Sequence, residues 1–195
     1  MAAKRVFLVH ALARYDDGWI LSPVATMSLP VSPPCVIFLN GPVNAGKSTV
    51  GPRVAARLSQ AVWLDGDDHG ADASLPLAEQ WEAAHQRIEA AIAALTEGVL
   101  VVGYPMDQAL YERLHEAADK AGARLLVVTL SPPLDVALSD RGGRVLTEAE
   151  RARVKQMYDE GYQSRPFSDM LLNTARLSPD ECADDIVALA ANVGR

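Results

Sequence analysis

The sequence predicts an α/β fold in which a five-stranded parallel sheet is flanked by helices in three layers. Three observations predict it. Apolar runs alternate with helical patterns from Cys35 onward, the runs are nearly continuous, and polar motifs fall at their C-terminal ends. A continuous apolar run marks a strand buried on both faces, as parallel strands are between two helix layers. Right-handed crossovers then bring every strand C-terminus to one edge, where ligands bind.

Residues 1–34 read as an N-terminal arm or extension. They end in Ser28-Leu29-Pro30-Val31-Ser32-Pro33-Pro34, whose prolines block regular structure. Met27 stands just before the expected domain start, so a natural start at Met27 is one hypothesis for this region. The opening resembles a signal peptide only slightly: its apolar part is short, contains His10, and runs into Arg14 with no small-residue cleavage site. That favours the cytoplasm.

The domain at 35–195 begins with the strand Cys35-Val36-Ile37-Phe38-Leu39-Asn40, followed by a helix from Lys47 to about Leu58. Ala61 to Leu64 is the next strand, ending in Asp65-Gly66-Asp67-Asp68. Residues from about Leu77 to Thr96 carry Trp81, Ala84, Ile88, Ala91, Ile92 and Leu95 at helical spacing, with Gly98 as the stop. Val99 to Val102 is a strand, 108–121 a helix stopped by Gly122, and Arg124 to Leu130 a strand. A short helix leads to Arg141-Gly142-Gly143-Arg144. Thr147 and Glu150 form a capping-box pattern that opens a charged helix to about Gly161. Met170 to Asn173 is a short strand, and Ser178-Pro179-Asp180-Glu181 opens the last helix.

Composition bounds the function. The 195 residues are 49% hydrophobic and 22% charged, as in a folded globular domain, and carry a net charge of −7. A negative chain is a poor general binder of nucleic acid or anionic membranes, since both need a basic surface. No apolar run reaches the ~18 residues of a membrane helix. Cys35 and Cys182 have no metal-site spacing and read as small buried hydrophobes. Oligomeric state is left open.

Gly41-Pro42-Val43-Asn44-Ala45-Gly46-Lys47-Ser48 matches G-x-x-x-x-G-K-[ST] and is followed by Thr49. It falls between a buried strand and a helix, where such a P-loop must lie. Gly41 and Gly46 permit a tight path that turns amide groups, including those of Asn44 and Ala45, toward phosphate oxygens. The helix N-terminus adds a dipole that favours an anion. Lys47 is expected at the β- and γ-phosphates of ATP, with Ser48 supplying a hydroxyl to Mg²⁺. The motif predicts triphosphate binding and is silent on the use to which the nucleotide is put.

Asp65 and Asp67 are placed at a strand end beside this cradle, and a phosphoryl acceptor needs a carboxylate to orient its hydroxyl and take its proton. Asp68 reads as a turn cap and His69 as a loop histidine. The cradle together with Leu64-Asp65-Gly66-Asp67 resembles the small-kinase branch of P-loop proteins: shikimate kinase, gluconate kinase, adenylylsulfate kinase and chloramphenicol phosphotransferases. Ser48-Thr49-Val50-Gly51 with Arg53 and Leu58 is similar to the first helix of shikimate kinases. The resemblance implies that Asp65 holds the metal through water and Asp67 meets the acceptor hydroxyl.

Nucleotide monophosphate kinases usually have an aspartate before the Gly-aromatic-Pro turn, where Val102 precedes Gly103-Tyr104-Pro105 here. Metal support then falls to Ser48 and Asp65. Asp107 is either a substitute or a helix N-terminal carboxylate. Ser139-Asp140-Arg141-Gly142-Gly143-Arg144 stands where these kinases have their lid, near 139–150; the alternative is an exposed basic turn. Arg144 suits the transferring phosphate and Arg141 the base. Leu172 to Pro179, with Asn173, resembles the last strand and the loop beside adenine.

The expected function is ATP- and Mg²⁺-dependent phosphoryl transfer to a hydroxyl of a small-molecule acceptor: shikimate-like, sugar-acid or antibiotic-like. A slow regulatory ATPase and a nucleoside or nucleotide kinase are the alternatives. Arg87, Arg113 and Arg165 are the arginines available to an anionic acceptor, and helix-surface salt bridges explain each as well.

Overall fold

A computed structural model of the chain describes residues 11–15, 18–22, 33–68 and 74–192. Met27, His69 and residues 28–32 of the proline run lie outside the described residues. Contacts divide the chain into two units, Met1–Val31 and Ser32–Arg195. In the first unit, β1 (Ala11–Tyr15) pairs antiparallel with β2 (Gly18–Ser22), with Tyr15 opposite Gly18. The sequence reading expected no strands there. The signal was two short apolar segments, Leu8 to Ala13 and Trp19 to Leu21, on either side of a polar stretch.

The second unit is built on a five-stranded parallel sheet in the order β4-β5-β3-β6-β7. These strands are β3 (Cys35–Asn40), β4 (Ala61–Asp65), β5 (Val99–Gly103), β6 (Arg124–Leu130) and β7 (Met170–Leu172). Helices α1 (Lys47–Arg57), α2 (Leu77–Ala93), α3 (Gln108–Ala121), α4 (Leu134–Ala137), α5 (Glu148–Asp159) and α6 (Pro179–Asn192) connect and cover them. Cys35 of the central β3 lies opposite both Val99 and Arg124. The architecture is the three-layer P-loop NTPase fold that the sequence predicts.

Two apolar cores hold the layers. From β3, Val36 and Phe38 join α2 and α3 residues such as Ile88, Ile92, Leu110 and Leu114. Ile37 and Leu39 join Val50 and Val54 of α1 and Ile186 of α6 on the opposite face. All four β3 side chains are fully buried, and each such burial is worth about 1.5–3 kcal/mol.

Caps set several helix ends. Thr147 and Glu150 form the expected capping box. Ser178 and Glu181 exchange equivalent hydrogen bonds at the start of α6, 2.8 and 3.2 Å. Asp107 caps α3 by accepting from the Leu110 N–H at 2.8 Å, which identifies it as the helix N-terminal carboxylate. Gly122 ends α3 in the left-handed conformation. Gly98 does not end α2: the helix stops at Ala93, and Gly98 instead lies against the Gln60 carbonyl at the entry to β5.

Candidate active site

The loop after β3 forms the phosphate cradle. Gly46 stands at φ 103° immediately before α1, a conformation that disfavours a side chain. No side chain caps α1, and the N–H groups of Gly46, Lys47 and Ser48 find no main-chain acceptor among the described residues. A helix start left open in this way suits an anion. The Lys47 amine folds back over the loop and donates to the carbonyls of Gly41 at 2.9 Å and Pro42 at 2.8 Å. Burial pushes that amine down to about 8, opposed by the charges of Asp67 and then Asp65.

One cleft of about 440 Å³ collects the predicted residues. Asn44, Ala45, Gly46, Lys47, Ser48 and Thr49 line it from the cradle, Asp65 and Asp67 from the end of β4, and Arg141 and Arg144 from the segment before α5. Gly41 lies behind, with the Leu130 carbonyl of β6 where a Cβ would point. Gly103, Thr174, Leu177, Pro179 and Cys182 also line it; Thr174, Leu177 and Pro179 belong to the loop whose resemblance placed it beside adenine, whereas Gly103 and Cys182 were given no place in the site. Thr174 is tied in by its hydroxyl, which donates to the Ala45 carbonyl at 3.0 Å.

The carboxylate turn is held tightly. The Gly66 N–H donates to the Gly103 carbonyl at 3.0 Å, and the Asp67 N–H donates to Asp65 Oδ1 at 3.2 Å. A Cβ on Gly66 would lie 2.6 Å from Cδ2 of Tyr104. Burial and then the Asp67 charge push the Tyr104 phenol up to about 12. At the end of β5, Val102 is fully buried in the core while Gly103 faces the cleft, with the Trp63 ring filling the space its side chain would need. The end of β5 carries no carboxylate, and the acids of the cleft stand at the end of the adjoining strand β4.

The basic segment forms a tight turn. Arg144 N–H donates to the Arg141 carbonyl at 2.9 Å across Gly142 and Gly143, both at positive φ, 59° and 81°. Arg141 donates to the Thr174 carbonyl at 2.9 Å. Arg144 pairs with Glu150, the capping-box residue of α5. Asn44 ties the cradle to the same region through the carbonyls of Ala137 and Ser139, both at 2.9 Å.

The three candidate acceptor arginines separate. Arg113 is engaged with Glu82 and Glu89. Arg87 donates to the carbonyls of Asp65, at 2.9 Å, and Asp68. Arg165 lies 4.2 Å from the Tyr162 ring centroid, and its buried Nε has no partner among the described residues.

The donor set fits a magnesium–triphosphate complex. Mg²⁺ is commonly held by one or two protein oxygens, waters and substrate phosphates, and the cleft offers Ser48 and Asp65 beside an open helix start. No group of three or more His, Cys, Asp or Glu side chains able to hold a metal occurs among the described residues. No helix among them is long and apolar enough to cross a membrane.

No protein-family model and no curated protein matches the chain. Solved structures do. The APS kinase of Mycobacterium tuberculosis, in complex with AMPPNP and APS, is 23% identical with a TM-score of 0.61 over 82% of this chain and 98% of that one. A gluconokinase from Sinorhizobium meliloti is 18% identical, TM-score 0.61, over 82% and 95%. Shikimate kinase from Acinetobacter baumannii, in complex with shikimate, is 21% identical, TM-score 0.55, over 81% and 93%. The chain shares the fold of these kinases.

Proposed function

We propose that the protein is an ATP- and Mg²⁺-dependent kinase that phosphorylates an alcohol on a small molecule. The observation that carries this reading is the convergence of Lys47, Ser48, Asp65, Asp67, Arg141 and Arg144 on one cleft at the strand ends. The fold shared with proteins named as APS kinase, gluconokinase and shikimate kinase supports it, as does AMPPNP in the first of them.

In this reading the open start of α1 and the Lys47 amine bind the β- and γ-phosphates. Ser48 and Asp65 would hold the Mg²⁺ complex. The metal would supply charge neutralisation for the phosphates. Asp67 orients the acceptor hydroxyl and accepts its proton as the new O–P bond forms and the bond from the γ-phosphorus to the ADP oxygen breaks. Arg144 leaves Glu150 to meet the transferring phosphoryl group, and Arg141 lies along the base. None of the three candidate arginines is among the residues that line the cleft, so no arginine is assigned to an anionic acceptor.

Acceptor-stimulated ADP release, screened against shikimate-like acids, sugar acids, hydroxylated antibiotics and nucleosides, tests the reading. Lys47→Ala is expected to abolish transfer. Asp67→Asn should lower kcat by about 10²–10⁴-fold, the usual worth of a general base, while ATP affinity changes little. Full activity in the Asp67 variant would remove its assigned role. A second reading, slow ATP hydrolysis with no acceptor, draws on the carboxylate-free end of β5; turnover indifferent to every acceptor would favour it.

A further inference from the structure

The turn carrying Asp65 and Asp67 belongs to no helix, and only its first residue belongs to a strand. From the sheet side it is pinned by Gly66 on the Gly103 carbonyl and by the Tyr104 ring beneath Gly66. From the helix side, one side chain reaches its main chain. Nη1 of Arg87, on the fourth turn of α2, donates to the carbonyls of Asp65 and Asp68, which bracket Gly66 and Asp67. The Asp68 N–H in turn donates to the Asp65 carbonyl at 3.3 Å, so both ends of the turn meet at one guanidinium. Arg113 cannot replace it, because Glu82 and Glu89 occupy that side chain.

We propose that Arg87 is a positioning residue: by clamping the carbonyls of Asp65 and Asp68 it fixes the carboxylate turn in register with the phosphate cradle, and it is not a contact for the acceptor. This rests on the kinase reading above. Carboxylates on a loose turn would sample positions away from the metal–triphosphate complex, and binding would then have to order the turn as well. Arg87 orders it beforehand. Its Nη1 donates to main-chain oxygens at both ends of the turn, so its effect is expected through the carboxylates that the turn carries.

The test needs no acceptor. A fluorescent ATP analogue (mant-ATP) is titrated into the full chain with and without MgCl₂, and amide exchange is followed over residues 66–68. Wild type should bind more tightly with Mg²⁺. Arg87→Met should bind within twofold of wild type without Mg²⁺, lose at least fivefold of the Mg²⁺ gain, and exchange faster at 66–68 with β3 and β6 still protected. Arg87→Lys, which keeps a cationic donor, should recover most of both and stands as the test if the Met variant does not fold. A full Mg²⁺ gain in Arg87→Met, or an equal loss of affinity with and without Mg²⁺, overturns the proposal. So does an Arg87→Lys chain with a protected turn and no gain. Failure of wild type to bind mant-ATP overturns the kinase reading itself, and this inference with it.

Discussion

A lysine amine ordinarily titrates near 10.5, and burial brings that of Lys47 to about 8 in the folded chain. Between those values the unfolded chain carries a proton that the folded chain has lost, so this group alone makes stability rise with pH from about 8 to about 10.5. A bound phosphate reverses the balance, because an anion beside the amine favours its charged form. ADP binding without metal is therefore expected to take up close to one proton at pH 9, where the phosphates are already fully ionised. Calorimetry in buffers of different ionisation heat reads this directly. That Lys47, Ser48 and the acids share one cleft was legible in the sequence, because motif spacing encodes a backbone path and the acids follow a strand that ends beside it. The fates of Arg87, Arg113 and Arg165 were not, since a helix-surface or loop arginine looks alike whether it meets glutamates, carbonyls or a ring. Glu150 was read as a cap, and nothing local shows that it also holds Arg144.

Helix α1 is where local preference and packing disagree most clearly. Gly51 sits inside it, and propensity alone predicts that alanine would stabilise the helix by about 1 kcal/mol. The Trp63 ring of β4 occupies the place a Cβ would take. Gly51→Ala is thus expected to destabilise the fold by about 1–3 kcal/mol, the range for overpacked cores, measured by urea unfolding. A stabilised variant would mean that the indole moves aside freely. Element existence and type were readable along 35–192 because each element carries its own period and its own caps, as at Thr147 and Ser178. The end of α2 was misread, because the apolar spacing continues to Leu95 after the helix stops at Ala93. Gly98 serves the neighbouring strand, a long-range demand that leaves no local trace.

Across the whole molecule, a buried polar thread joins the sheet to the loops that carry the site. Asn40, fully buried at the end of β3, donates to Thr129 Oγ1 at 2.9 Å and accepts from the Met106 N–H at 2.8 Å. Thr129 meets the Ser168 hydroxyl at 2.7 Å. Asn40→Leu would leave the Met106 N–H without its partner and should cost about 1–3 kcal/mol, seen as a lower urea midpoint with an unchanged slope. The parallel sheet itself was legible from its apolar runs, whereas this thread depends on strand order, which no single segment reports. That order also has a history in time. The ribosome makes β3, the centre of the sheet, before either neighbour: its first partner begins at Val99 and its second at Arg124. At ~5–20 residues per second, Val36 to Leu39 spend roughly several seconds outside the exit tunnel with no strand to pair with. The segment that ends up most shielded from water thus passes through a stage of nascent-chain exposure, when a holding chaperone has the most to protect.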